Sequence, residues 1–239
     1  MPGESKLNVA RLGVSDYQAA LELQSALVAA RMRDALDDTL LLLEHPHVYT
    51  LGRGADQGFI LDPPPEVPIH RVSRGGQVTY HGPGQLVGYP ILKLEGAERD
   101  VIRYLRKLEQ VIIGALAAIG IEAQRREGLT GVWVGGEKIA SIGVGIRRWT
   151  TLHGFAVNVA TDLRFFERIV PCGIAGCRMT SIAKLGRLEI GVLEFAELIV
   201  RAFAAVIVKT ARWANSHRAE SGAILAKYAK VIITPGMSR

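Results

Sequence analysis

Residues 131–146 read GVWVGGEKIASIGVGI, two arms rich in β-branched residues around the pair Gly135-Gly136. Both glycines tolerate positive φ, so the spacing predicts a tight β-hairpin. This reading decides the fold class, because a sheet that grows by hairpins is not the doubly wound type. The flanking sequence agrees. TLHGFAVNVA (151–160) alternates like another strand, and TLLLLEHP (39–46) is a short apolar strand stopped by proline. IHRVSR (69–74) and QLVGYPILKL (85–94) read as strands on either side of a glycine-rich loop. PPPEVP (63–68) is a stiff surface connection, since its prolines cannot donate to a ladder.

Helices fall between these strands. Ser15 is placed to cap a helix running to about residue 36, with Leu21, Val28, Met32 and Leu36 on one face. The segment 98–119 repeats apolar residues at 101, 105, 108, 112, 116 and 119, a single buried stripe ended by Gly120. A further helix fits 192–208, and the basic segment after it is expected to be partly helical. Strands and helices alternate without a regular βαβ rhythm. The expectation is therefore an α+β fold, a mixed and largely antiparallel sheet with flanking helices.

Composition narrows the class. At 239 residues with 49% hydrophobic and 22% charged, the chain is long enough for a substantial core and ordinary for a globular protein. The longest apolar stretch, 192–208, is interrupted by Glu194, Glu197 and Arg201, so no membrane span is expected. The start, MPGESKLNVARLG, lacks the apolar block of a secretory signal, and two cysteines are too few for a disulfide framework. A cytoplasmic protein is the expectation. Most of the net charge of +6 sits in residues 209–239, where six Lys/Arg face one acid, Glu220. Such a tail either attracts an acidic partner or nucleic acid or is merely solvated. Its only aromatics are Trp213 and Tyr228, too sparse for an RNA-stacking surface.

Common phosphate and hydrolase motifs are missing: GVWVGGEK is not a P-loop, and no G-x-S-x-G surrounds Ser73 or Ser141. Three stretches remain. RGGQVTYHGPGQL (74–86) offers Gly75, Gly76, Gly82 and Gly84, whose bare backbone can lie against a ligand, with Arg74, Tyr80 and His81 among them. A plain glycine-rich hairpin with His81 merely hydrogen-bonded reads equally well. In VPCGIAGCRMTS (170–181), Cys172 lies between proline and glycine on a bend, where its sulfur is either a nucleophile exposed to a cleft or an inert buried thiol. Cys172 and Cys177 could share a metal with His81 or His153, though one C-x₄-C pair is weak evidence for zinc. Lys138, on the second hairpin arm, either points to solvent or faces a cleft as a base.

Together, RGGQVTYHGPGQ, GVWVGGEKIASIGV, HGFAVNV and PCGI, in that order, resemble the lipoyl(octanoyl) transferase family. The resemblance spans residues 40–185 by motif and is compatible with the chain to about 208. It implies the fold of the biotin and lipoate protein ligases and the transfer of an octanoyl group from octanoyl-acyl carrier protein to a lysine. The implied acceptors are lipoyl domains of 2-oxoacid dehydrogenase complexes and the glycine cleavage H protein. By the same resemblance Cys172 carries the acyl thioester, and Lys138 favours its thiolate and handles protons. Arg74, Gly75, Gly76, Gln77, Val78, Thr79, Tyr80 and His81 form the loop closing over the acyl substrate. Ser141, Ile142, Gly143, Gly154, Phe155 and Ala156 supply further substrate contacts, and Cys177 has no counterpart. The implied catalytic domain is 1–208, with 209–239 as a basic extension outside it. A monomer is expected, with no nucleic-acid or membrane partner. No ATP, metal or other cofactor is expected, because a thioester is already activated. A ligase on the same fold would instead adenylate a free acid with ATP; HGPGQ and PCGI favour transfer.

Overall fold

A computed structural model of the chain describes residues 6–207 and 210–213. The elements run β1 (Lys6–Val14), α1 (Tyr17–Met32), β2 (Asp38–Glu44), β3 (Val48–Leu51), β4 (Ile69–Arg71), β5 (Val78–His81) and β6 (Gln85–Ile91). They continue with α2 (Val101–Ala117), β7 (Gln124–Arg126), β8 (Leu129–Val134), β9 (Glu137–Arg147), β10 (Thr150–Asn158), α3 (Val192–Val206) and β11 (Thr210–Trp213). One eight-stranded sheet has the order β11-β1-β2-β6-β10-β9-β8-β7, and β4-β3-β5 form a second sheet of three. In the large sheet β1 is parallel to β11 and β2, and every other pair is antiparallel. This is the mixed, largely antiparallel architecture the hairpin reading predicts. Gly135 (φ +54°) and Gly136 (φ +87°) make the two-residue turn between β8 and β9.

The apolar run in β2 is explained by burial on both faces. Leu40 and Leu42 pack with Leu7, Val9, Leu108, Ile112, Phe195 and Ile199, the core shared by the sheet with α2 and α3. Leu41 and Leu43 pack with Leu23, Leu27 and Val28 of α1 on the other side. The small sheet has its own core around Tyr49, Val78, Tyr80 and Phe166.

Several element ends differ from the sequence reading. The cap of α1 is Asp16, whose carboxylate accepts from the Ala19 N–H at 2.9 Å. Ser15 is buried instead, its N–H donating to the Glu44 carbonyl at 2.8 Å and so tying the chain to β2. The buried face of α1 is Ala20, Leu23, Leu27 and Val28 rather than the row through Leu21, and Leu36 is buried beyond the helix end. Likewise α2 begins after its cap Asp100, which accepts from the Arg103 N–H at 3.0 Å. Val101, the first residue of the anticipated stripe, is 41% exposed; Tyr104, Leu108, Val111, Ile112 and Ala115 are buried. The strand expected at 69–74 is three residues long. The basic segment expected to be partly helical is described only at 210–213, where it is strand β11 beside β1; the rest of it lies outside the described residues. Among the described residues no helix is long and apolar enough to cross a membrane.

The cap assignment is directly testable. Asp16→Ala should lower stability by about 1 kcal/mol in urea unfolding, the usual worth of an N-cap carboxylate. An unchanged midpoint would return the cap to another group.

Candidate active site

Lys138 enters the site from the second position of β9. Between Val132 and Trp133 the β8–β9 ladder slips by one residue opposite it, and a bulge of this kind re-aims side chains. The lysine is 1% exposed. Its Nζ donates to the Cys172 Sγ at 3.0 Å and to the Thr130 carbonyl at 3.1 Å, and lies 4.9 Å from the Trp133 ring centroid. Gly131 makes the room: at φ +137°, a Cβ there would stand 2.6 Å from the Lys138 Cε.

Cys172 occupies a single tight turn, Pro171–Gly173, with φ +57°, a left-handed conformation that costs a non-glycine residue. The turn is closed by the Gly173 N–H on the Val170 carbonyl (3.0 Å) and the Ile174 N–H on the Pro171 carbonyl (3.1 Å). The chain then returns to β9. The Lys138 N–H donates to the Arg178 carbonyl at 2.8 Å, and the Thr180 N–H donates to the Lys138 carbonyl at 2.9 Å. Backbone bonds to Lys138 itself therefore hold the loop that carries Cys172. The Ser141 Oγ lies 3.9 Å from Sγ.

A cavity of about 210 Å³ opens in front of this pair. Of the residues the sequence nominated, Arg74, Gly76, Gln77, Val78, Thr79, His81, Ser141, Ile142, Gly143, Gly154, Phe155 and Ala156 line it together with Lys138 and Cys172. Gly154 is irreplaceable there, since a Cβ would lie 2.1 Å from the Gly88 carbonyl oxygen. Gly75 and Tyr80 do not line the cavity. The Gly75 N–H pins the loop to β9 through the Val144 carbonyl at 2.9 Å. Tyr80 turns to the far side of β5, stacks on Phe165 at 4.8 Å and shares a hydrogen bond with the His47 Nδ1 at 2.7 Å. Cys177 does not reach the cavity either; it borders an adjoining groove, and its half-buried thiol is pushed up by burial.

Polar groups gather at one side. The Arg74 guanidinium is buried and donates to the Thr50 carbonyl at 2.6 Å, the Thr50 hydroxyl at 2.8 Å and the Gly75 carbonyl at 3.0 Å. The His81 Nδ1–H donates to the Gln85 Oε1 at 2.7 Å, and the Gln85 Nε2 donates to the Asn158 Oδ1 at 2.9 Å. The Asn158 Nδ2 in turn donates to the Thr180 carbonyl at 3.0 Å, so this network ends on the segment that braces Lys138. Burial lowers His81 to about 3, assisted by neighbouring positive charge, and lowers His45 and His153 to about 4.

The sequence reading missed Tyr17, Tyr89, Gly128, Leu129, Thr130 and Ile174, all of which line the cavity. Tyr17 stands at the start of α1, and no local pattern links it to His81, on which it stacks at 6.2 Å. The sequence offers His153 only as a metal ligand, yet it lines the cavity with its Nε2 3.1 Å from the Ser73 Oγ. Its place beside Gly154 in HGFAVNV was the available signal.

The sheet and its helices are those of the lipoate and biotin protein ligases. A lipoate protein ligase from Thermoplasma acidophilum, solved in work on that ligase and its E2 lipoyl domain, superposes with TM-score 0.68 at 15% identity, covering 95% of this chain and 91% of that one. The biotin protein ligase of Aquifex aeolicus superposes with TM-score 0.51 at 13% identity, covering 84% and 68%. At such identities the likeness speaks for the fold alone. Sequence goes further: the lipoyl protein ligase A/B catalytic domain model matches residues 16–204. The octanoyltransferase of Geobacter sulfurreducens is 49% identical over 198 residues, 83% of each chain. That of Gloeobacter violaceus is 55% identical over 164 residues, 68% of this chain and 73% of the relative. The chain belongs to the lipoyl protein ligase A/B catalytic domain family and, within it, to the octanoyltransferases.

Three buried neutral histidines give stability a definite pH dependence. Their folded pKa values lie below the ordinary 6.5, so their contribution is complete above that pH. As the pH falls, the unfolded chain binds protons that the folded chain does not, and stability declines by up to about 1.4 kcal/mol per unit for each ring. Urea unfolding should show this loss from about pH 6.5 down to about 4. A flat profile over that window would mean the rings are already protonated in the folded protein.

Proposed function

We propose that the chain transfers an octanoyl group from octanoyl-acyl carrier protein to a lysine of lipoyl domains, the glycine cleavage H protein included. Cys172 carries the acyl group in transit and Lys138 handles the protons. The observation that supports this most is the 3.0 Å contact between the Lys138 Nζ and the Cys172 Sγ at the wall of the cavity. An ammonium in that position stabilises a thiolate, the form of cysteine that attacks a carbonyl.

The Cys172 thiolate attacks the thioester carbonyl carbon, and a new C–S bond forms. The tetrahedral intermediate collapses, the bond to the carrier sulfur breaks, and the leaving thiolate takes a proton from Lys138. One thioester has replaced another, so the step is nearly balanced in free energy. Lys138, now neutral, accepts a proton as the acceptor amine attacks the acyl-enzyme. A C–N bond forms, the C–S bond to Cys172 breaks, and ammonium and thiolate are restored. Amide formation draws the second step forward.

Ile142, Phe155 and Ala156 give the octanoyl chain its apolar wall, while Arg74, Thr79, His81 and Ser141 orient the polar end. The catalytic unit is residues 1–208, acting as a monomer in the cytoplasm, and 209–239 is a basic extension to it. Because the donor arrives activated, the reaction runs without ATP.

Intact-protein mass spectrometry after mixing with octanoyl-acyl carrier protein should find one thioester-labile octanoyl adduct, present in Cys177→Ala and lost in Cys172→Ser. Loss in Cys177→Ala alone would identify the other sulfur. No adduct with an acceptor still modified would mean direct transfer, and modification from free octanoate and ATP would mean a ligase. Replacing Lys138 by Met should lower the rate of adduct formation about 10² to 10⁴-fold, the worth of a positioned proton-transfer group. A rate within a few-fold of the parent would remove Lys138 from the chemistry.

A further inference from the structure

Glu109 sits in the middle of α2, on the helix rather than the cavity side of β8, and is fully buried. A buried carboxylate is costly unless it is paired and hydrogen-bonded. Two arginines meet it: Arg106 Nη1 at 2.8 and 3.0 Å and Arg125 Nε at 3.0 Å. Its Oε1 also accepts from the backbone N–H of Gly131 at 3.1 Å.

That N–H belongs to the same peptide unit as the Thr130 carbonyl, the oxygen that accepts from the Lys138 Nζ. In a trans peptide the N–H and C=O point in opposite directions. Gripping one end of the unit therefore aims the other. A line of contacts runs from Glu109 through a single peptide to Lys138 and on to the Cys172 Sγ. The grip matters at this peptide because Gly131 has no Cβ, and glycine at φ +137° resists rotation less than any other residue. The opening that admits the lysine also loosens the backbone beside it.

We propose that Glu109 is a positioning residue for Lys138, acting through the Thr130–Gly131 peptide. It rests on the reading of Lys138 and Cys172 as one proton-sharing pair. Glu109 touches neither substrate nor the reacting atoms; it fixes the carbonyl that orients the ammonium. The arginines neutralise the carboxylate and hold it from the solvent side, their side chains 42% and 38% exposed.

Two substitutions separate this role from that of a buried ion-pair partner. Glu109→Asp keeps the charge and the arginines but withdraws the carboxylate from the Gly131 N–H. Glu109→Gln keeps the reach to Gly131 and gives up the charge. The readout is the pH profile of Cys172 alkylation by iodoacetamide, resolved from Cys177 by peptide mass spectrometry, with octanoyl transfer kinetics and thermal unfolding measured in parallel. In Glu109→Asp the pH of half-maximal alkylation should rise by about one unit, the scale on which a nearby charge acts. Its kcat should fall on the order of 10- to 100-fold, the cost of a misplaced catalytic group, with KM for the octanoyl donor little changed. Glu109→Gln should retain the parental profile even where its unfolding temperature drops further. A parental profile in Glu109→Asp, or a shift in Glu109→Gln as large as in Glu109→Asp, overturns the proposal. Lys138→Met supplies the control: if it leaves alkylation unchanged, the proton-sharing pair itself is wrong, whereas a Lys138-dependent profile insensitive to Glu109→Asp refutes only the positioning role.

Discussion

A lysine ammonium with 1% of its surface exposed must find partners inside the protein, and the arrangement around Lys138 follows from that requirement. Water supplies three acceptors to a free ammonium; here a carbonyl, a sulfur and the face of an indole stand in for it. Each comes from a different kind of backbone. The Thr130 carbonyl needs a neighbouring glycine that leaves room for the side chain. The indole needs the one-residue slip that sets Trp133 opposite Lys138. The sulfur needs a chain segment in the left-handed region, placed against the end of β9.

The strain at Cys172 is held by contacts on both sides of it. The bonds closing Pro171–Gly173 fix the turn, and Lys138's own N–H and C=O fix the chain that follows. Gly173 tightens the same corner, since a Cβ there would meet Gln77 Cγ and a Phe59 ring carbon at 2.8 Å. The cysteine bend thus packs closely against Gln77 of the glycine loop. Opposite them, His81, Gln85 and Asn158 form a polar line that ends on the Thr180 carbonyl. The His81 ring of this line and the separate His153 ring are both neutral and add no charge, which leaves Lys138 and the buried Arg74 as the cations at the cavity wall.

Much of this was legible from short sequence signals. Gly135-Gly136 fixed the hairpin because few residues accept φ > 0 twice in succession, and the apolar run of β2 announced a strand buried on both faces. Helix ends were less readable. Ser15 and Asp16 are both good caps by type, and the choice fell to Asp16 because Ser15 is bonded to β2, a contact between residues distant in sequence. Tyr80 and Gly75 sit inside the right motif but leave the cavity to their neighbours. β-strand alternation sends the tyrosine to the other face, and the glycine's backbone is used by β9.

The sequence by itself determined the local conformations: where glycine permits a turn, where proline forces a bend, and which runs are apolar enough for strands. It also determined membership of the family, through four motifs kept in order. Only the tertiary structure decided which groups meet. Lys138 and Cys172 are joined by the return of 178–180 to β9, Tyr17 reaches the cavity because α1 packs on β6 and β10, and Glu109 reaches Gly131 because α2 packs on β8. Contacts between residues far apart in the chain depend on how whole elements pack, and no spacing along one segment records that.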